Sequence, residues 1–207
     1  MTVSQTRTRI LDVAMRLFHE QGYNATGIST ILREADVNSG SLYHFFPSKE
    51  ALLIGVLQRY LEMLRPWVTD PAAASAPDPI ERIFALLGQY RAGLEATGCA
   101  LGCPIGNLAL ELSDNHAEIR ALIDANFRQW CEVVESWLDE AAGRLPKELD
   151  RTAVARFVLA VMQGAVMQTR AARSLRLFDD SVAELRRYFD ALSASAESSP
   201  IPRPGSH

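Results

Sequence analysis

The chain has 207 residues, 48% apolar and 22% charged, which excludes a disordered polyelectrolyte and leaves ample length for a real core. Its formal net charge is −4, and residues 1–50 carry five Lys/Arg against five Asp/Glu, so charge alone does not suggest a polyanion partner. No apolar run is long enough to cross a membrane, the polar opening predicts no signal peptide, and an odd number of cysteines suits no disulfide framework; the expected setting is a reducing cytoplasm.

Ile10, Leu11, Val13, Ala14, Leu17 and Phe18 recur on one helical face, and Gly22 follows where a left-handed stop is cheapest. Thr26 is the expected N-cap of a second, short helix with Ile28, Ile31, Leu32 and Ala35 inward. The turn Asp36-Val37-Asn38 leads to a third helix, capped by Asn38, with Leu42, Phe45 and Phe46 as its apolar set. Pro47 ends that helix, Ser48 caps a fourth, and Pro66 is the expected end of the fourth. Leu52, Leu53, Val56, Leu57, Tyr60, Leu61 and Leu64 form its buried side.

Residues 69–79, with Pro71, Pro77 and Pro79 among alanines, are predicted to be a linker. Asp78-Pro79 predicts a cap and first helical position, and this fifth helix should reach about Thr97. A short helix follows over residues 104–112. Asn115 and Glu118, spaced as a capping box, open a long helix that Gly143 and Pro146 break. Asp150 caps the next helix, to about Ala172, and Asp179 or Asp180 starts the last, with a disordered Ser/Ala/Pro-rich tail expected over residues 194–207. The expectation is all-α, about nine helices. Residues 1–65 would form an N-terminal three-helix unit joined to its connecting helix, and residues 66–193 a second helical domain.

Two short helices joined by a tight turn are the helix-turn-helix arrangement, whose second helix enters the major groove of double-stranded DNA. With Leu42, Phe45 and Phe46 inward, Ser39, Gly40, Ser41, Tyr43 and His44 are left for the DNA side. Gly40 permits close backbone approach, the hydroxyls and phenol can donate to phosphates, and Lys49 places a cation beside a helix start. A plain three-helix packing unit fits the periodicity equally well.

The run Asn38-Ser39-Gly40-Ser41-Leu42-Tyr43-His44-Phe45-Phe46-Pro47-Ser48-Lys49-Glu50-Ala51-Leu52 closely resembles the signature of the TetR family of bacterial regulators. The stretch from Ile10 through Gly22-Tyr23 to Thr26 is similar to that family's first helix and turn. The resemblance implies a homodimer that binds a palindromic operator, most often as a repressor released by a small-molecule effector, with no cofactor and no enzymatic role. Carried over by position, it implies contacts to DNA from Thr26, Ser39, Gly40, Ser41, Tyr43, His44 and Lys49. Ser39 stands where many family members have Lys or Arg, which predicts weaker non-specific binding and a shallower salt slope.

An effector cavity between helices is the corresponding expectation for the second domain. Trp67, Tyr90, Phe127, Trp130 and Met162 are candidates for its walls, Asn107 and Gln163 for polar anchors, and Cys103 for a reactive group. Trp137, Met167, Glu111 and Gln168 are further candidates, and any of these residues could instead be core. Val158, Val161, Ala165, Leu185, Tyr188 and Phe189, with Gly164, are the expected dimer interface on the last two helices.

Cys103, before Pro104, is placed to cap a helix, where a thiolate would be stabilised. Residues 102–109 resemble a segment of a TetR subgroup in which some members sense electrophiles or oxidants through the cysteine at the position of Cys103; Pro104 replaces the leucine common there. Cys103 as a buried packing residue is the simpler alternative. The cysteines lack metal-ligand spacing. Two rival functions are a Cys103-dependent enzyme using His116 as base, and a helical adaptor without DNA binding.

Overall fold

The computed structural model describes residues 3–112 and 117–198, and every regular element among them is helical. In chain order these are α1 (Val3–Gln21), α2 (Ile28–Ala35), α3 (Ser39–Phe45), α4 (Lys49–Met63), α5 (Asp70–Ser75), α6 (Pro79–Ala96), α7 (Pro104–Leu112), α8 (Ala117–Glu140), α9 (Arg151–Ala172) and α10 (Arg176–Ser198). Nine match the expected helices; α5 is the addition.

Local chemistry sets most of the ends. Gly22 stops α1 at φ +87, a conformation that costs glycine nothing. The side chains of Asn38, Ser48, Asp78 and Asp150 each accept a backbone N–H in the first turn of α3, α4, α6 and α9. Thr26 does not cap α2. Gly27 holds that position without a side-chain bond, while the Thr26 hydroxyl, buried under the turn, donates back to the Gly22 carbonyl at 2.7 Å.

The expected linker is mostly helix. Pro66 fails to end α4 because the chain widens into a π-helical turn over Leu64–Thr69, with the Asp70 N–H bonded to the Arg65 carbonyl. A wider turn relieves the clash a proline ring makes with the preceding turn and absorbs its missing N–H. Pro71 then falls in the first turn of α5, where proline is tolerated, and the alanines that follow are strong helix formers, with Ala72 buried. Only residues 76–78 remain extended or bent.

The last helix starts at Arg176, ahead of Asp179, and runs to Ser198, so residues 194–198 are helical rather than part of a tail. Residues 199–207 lie outside the described residues, as do Asn115, of the expected capping box, and His116.

The N-terminal unit packs α2, α3 and α4 on α1, around Leu11, Phe18, Ile31, Leu42 and Phe46. In its second half α4 packs on α8, and α8, α9 and α10 continue the bundle. One helix therefore belongs to both units. The α5–α6 end is tied by charge: Asp78 meets the Arg144 guanidinium at 2.7 Å and Glu81 meets that of Arg186 at 2.6 Å.

Candidate nucleic-acid interface and effector cavity

The recognition-helix geometry begins with a left-handed residue. Asp36 ends α2 at φ 48, its N–H reaching back to Leu32 and Arg33, and the turn is complete by Asn38, whose Oδ1 accepts from Ser41 N at 2.8 Å. Arg9 on α1 donates to the Asp36 carbonyl at 2.9 Å and fixes this turn from outside, a role that no sequence pattern signalled. The Arg7 guanidinium lies 5.3 Å from the centre of the Phe46 ring, a second cation beside α3.

With Leu42 and Phe46 buried, α3 presents Ser39, Gly40 and His44 to solvent, and Tyr43 with half its surface exposed (50%). Ser41 is half-buried at the edge of the same face. Two expected DNA contacts are placed differently. Thr26 is fully buried (0% exposed) and its hydroxyl is occupied, so its side chain is not a phosphate donor. Lys49 is turned back onto the α1–α2 turn, where its Nζ donates to the Tyr23 carbonyl at 2.6 Å and lies 4.2 Å from the centre of the Tyr23 ring. Burial lowers the pKa of Lys49, opposed by the nearby Glu111 carboxylate; burial first, then Glu50 and Glu111, raise that of Tyr23.

A cavity of about 540 Å³ opens beyond the joint between the two units. The π-helical turn, α4, α6, α7, α8 and α9 supply its walls, among them Leu64, Trp67, Val68, Tyr90, Phe127, Trp130, Leu159, Met162 and Val166. Of the eight expected cavity residues, seven line it: Trp67, Tyr90, Cys103, Phe127, Trp130, Met162 and Gln163. Trp67, 72% exposed, stands at its mouth. Asn107 does not line it; its Oδ1 accepts from Arg170 at 3.2 Å outside. Trp137 is core, Met167 and Gln168 face outward, and Glu111 points to the DNA-binding unit.

The polar groups in the cavity wall include His19, Tyr60, Tyr90 and Gln163, and no Lys, Arg, Asp or Glu lines it. Tyr90 Oη accepts from Trp130 Nε1 at 3.1 Å and keeps its own proton to donate. The phenols of Tyr60 and Tyr90 are pushed well above their usual range, first by burial and then by the proximity of Cys103, so both stay neutral donors. Tyr60 belongs to the apolar periodicity of α4, which is why it reads as core in sequence; His19, Gln89 and Asn126 carried no sequence signal for the cavity.

Cys103 sits in the cavity wall as the expected cap. Its Sγ receives the Gly106 N–H at 3.5 Å and Gln163 Nε2 at 3.2 Å. Gly106 is needed for that arrangement, since a Cβ there would fall 2.4 Å from Gln163 Oε1.

The outer face of α9 corrects the expected dimer residues. Val158, Ala165, Leu185 and Phe189 are buried inside their own protomer, consumed by packing of α9, α10 and α6. Val161 and Tyr188 remain partly accessible. The exposed apolar surface of α9 is instead Phe157 (45%) and Met167 (58%), with Ala160 and Gly164 between them and Ala153 one turn before, at helical spacing.

A helix-turn-helix with an exposed phenol, joined through a shared helix to a hollow helical bundle, defines a class of DNA-binding regulators. The comparisons agree. Residues 10–56 match the model of the bacterial regulatory proteins of the tetR family, and residues 79–185 match the tetracyclin repressor-like C-terminal domain. The chain is 30% identical to the HTH-type transcriptional regulator LmrA of Bacillus subtilis over 84% of its length and 91% of that protein. It is 28% identical to the HTH-type transcriptional repressor DhaR of Mycobacterium sp. strain GP1, covering 95% of this chain and 97% of that one. Escherichia coli NemR in its reduced form superposes with a TM-score of 0.81 at 25% identity, over 88% of this chain and 96% of that one.

The chain belongs to the TetR family. It is a DNA-binding transcriptional regulator and not an enzyme. No helix among the described residues is long and apolar enough to cross a membrane.

Proposed function

We propose that the protein is an effector-responsive repressor that works in the cytoplasm as a homodimer, with one α3 in each of two successive major grooves of a palindromic operator. The observation that carries this reading is the cavity: it is hollow, apolar, and bounded by the same α4 that packs on α1 and meets Phe46, at the end of the recognition helix, beside Gly55. Ser39, Gly40, Ser41, Tyr43 and His44 would meet the groove and its flanks, and Arg7 the backbone beside them. Lys49 reaches phosphate only by leaving Tyr23.

The effector is uncharged and largely apolar, because the walls carry no Lys, Arg, Asp or Glu. Tyr60, Tyr90 and Gln163 give it hydrogen-bond partners. An electrophile entering the cavity would meet Cys103 Sγ, so alkylation there would act as a bound effector does. The partner protomer is seated on the Phe157–Met167 stripe of α9, where small residues allow helices to approach closely.

Effector can act only through unequal affinity for the DNA-binding and released states. Neutral aromatic compounds that quench Trp67 and Trp130 fluorescence are expected to lower operator affinity by roughly tenfold or more at saturation. A compound that saturates the cavity and leaves operator affinity unchanged would remove the regulatory reading.

A further inference from the structure

Helix α7, whose first turn is cavity wall, meets the DNA-binding unit through a carboxylate at its other end. Glu111, at the C-terminal end of α7, accepts from Tyr23 N at 3.0 Å and from Asn24 N at 2.6 Å, bridging 87 residues or more of chain. Both donors lie in the turn between α1 and α2, the entry to the helix-turn-helix. Gly22 leaves the room: a Cβ there would lie 3.2 Å from Glu111 Oε2, and its φ of +87 suits glycine in any case. On the far side of the same turn, Lys49 Nζ holds the Tyr23 carbonyl at 2.6 Å. The turn is therefore gripped by an anion at its N–H groups and a cation at its carbonyl.

The other end of α7 is tied to α1 as well. His19 Nε2 lies 2.6 Å from the Gly102 carbonyl and, as the donor to that oxygen, carries the proton. Next in the chain come Cys103, Pro104 and Ile105, all in the cavity wall. A nine-residue helix thus carries cavity wall at one end and the grip on the turn at the other.

We propose that Glu111 is a positioning residue for DNA binding: it fixes the helix-turn-helix against the effector domain and thereby sets the distance between the two recognition helices of the dimer. The inference rests on the dimeric repressor described above. A carboxylate is suited to this task because charge-assisted bonds to two adjacent N–H groups define both the distance and the orientation of the turn. Without it, α4 packing and the His19 contact remain, and the recognition unit gains freedom to pivot. A pivoting unit tolerates half-sites at the wrong spacing, whereas a fixed one does not.

The test uses full-length protein and the DNA that the wild type selects from a random pool. Affinity is measured for the selected site and for versions with the centre lengthened or shortened by two base pairs. For the wild type the altered sites bind much more weakly. In Glu111→Ala the ratio of native to altered spacing shrinks by roughly tenfold, and amide exchange at Tyr23 and Asn24 speeds up. Glu111→Gln, which keeps one acceptor oxygen, falls between and carries the test if the alanine variant does not fold.

An unchanged spacing ratio in a folded variant overturns the proposal, whatever happens to absolute affinity or to the melting temperature, because a merely stabilising role weakens all spacings alike. Selection of DNA with no two-fold repeat by the wild type is a different result: it refutes the dimeric reading itself, and this inference with it.

Discussion

Tyr43 and Asp78 show how single side chains divide between function and stability. Tyr43 has half its surface in solvent and no packing role that requires a phenol. Tyr43→Ala is expected to weaken operator binding by about 1–2 kcal/mol, measured by mobility shift, with dimerisation unaltered. Asp78 has two structural tasks: it caps α6 by accepting from Ile80 N at 2.8 Å and it pairs with Arg144. Asp78→Ala should cost about 1 kcal/mol in denaturant unfolding, the usual value of an N-cap, and should leave DNA binding intact.

Glu81 adds a pH dependence of definite sign. The hydrogen bond from Arg186 holds its pKa below the ordinary 4.5. A carboxyl whose folded pKa is depressed contributes stability above its unfolded pKa and loses it as pH falls through the folded value. The stability gap between wild type and Glu81→Gln should thus be full at neutral pH and close in acid, below 4.5. Because the pair is partly exposed, that gap is small, on the order of 0.5 kcal/mol.

Among the elements, α9 carries two different faces, and only one of them was legible. Its inner positions follow apolar periodicity, so Val158, Ala165 and their partners on α10 were visible as buried, yet periodicity could not say against what. The structure places them inside the protomer and leaves Phe157 and Met167 outside. Phe157→Glu should therefore convert the dimer to monomer in sedimentation experiments while helix content is retained; a dimer that survives would move the interface elsewhere.

The α4–α5 connection was misread for a related reason. Prolines signal breaks in sequence, but a π-helical turn accommodates Pro66 and a first-turn position accommodates Pro71. Caps were far more legible than interfaces, because Asn38, Ser48, Asp78 and Asp150 each act on neighbours within three residues. Glu111, by contrast, acts on the Tyr23–Asn24 turn from a distant part of the chain, and no local pattern reports such a contact.

For the whole molecule, the all-α architecture was readable from periodicity along the chain and the helix-turn-helix from the resemblance of the run Asn38 to Leu52; of the eight cavity candidates that the resemblance implied, seven line the cavity. Asn107 and Thr26 were misassigned because exposure and turn geometry are tertiary properties. What emerges is a chain in which α4 and α7 both run from the hollow bundle to the DNA-binding unit, one by packing and one by a charged grip. Two separate joints fix an orientation better than one. A hollow wall shared with both joints gives an effector a physical means of changing that orientation.

In the proposed repressor, two copies of this chain read DNA as a fixed pair. Sequencing the DNA that the protein selects from a random pool tests it most directly. An inverted repeat is expected, with half-site centres one helical turn, roughly 34–36 Å, or a multiple of it apart, and with enrichment lost in Tyr43→Ala. Enrichment of an isolated half-site, or none at all, would contradict it.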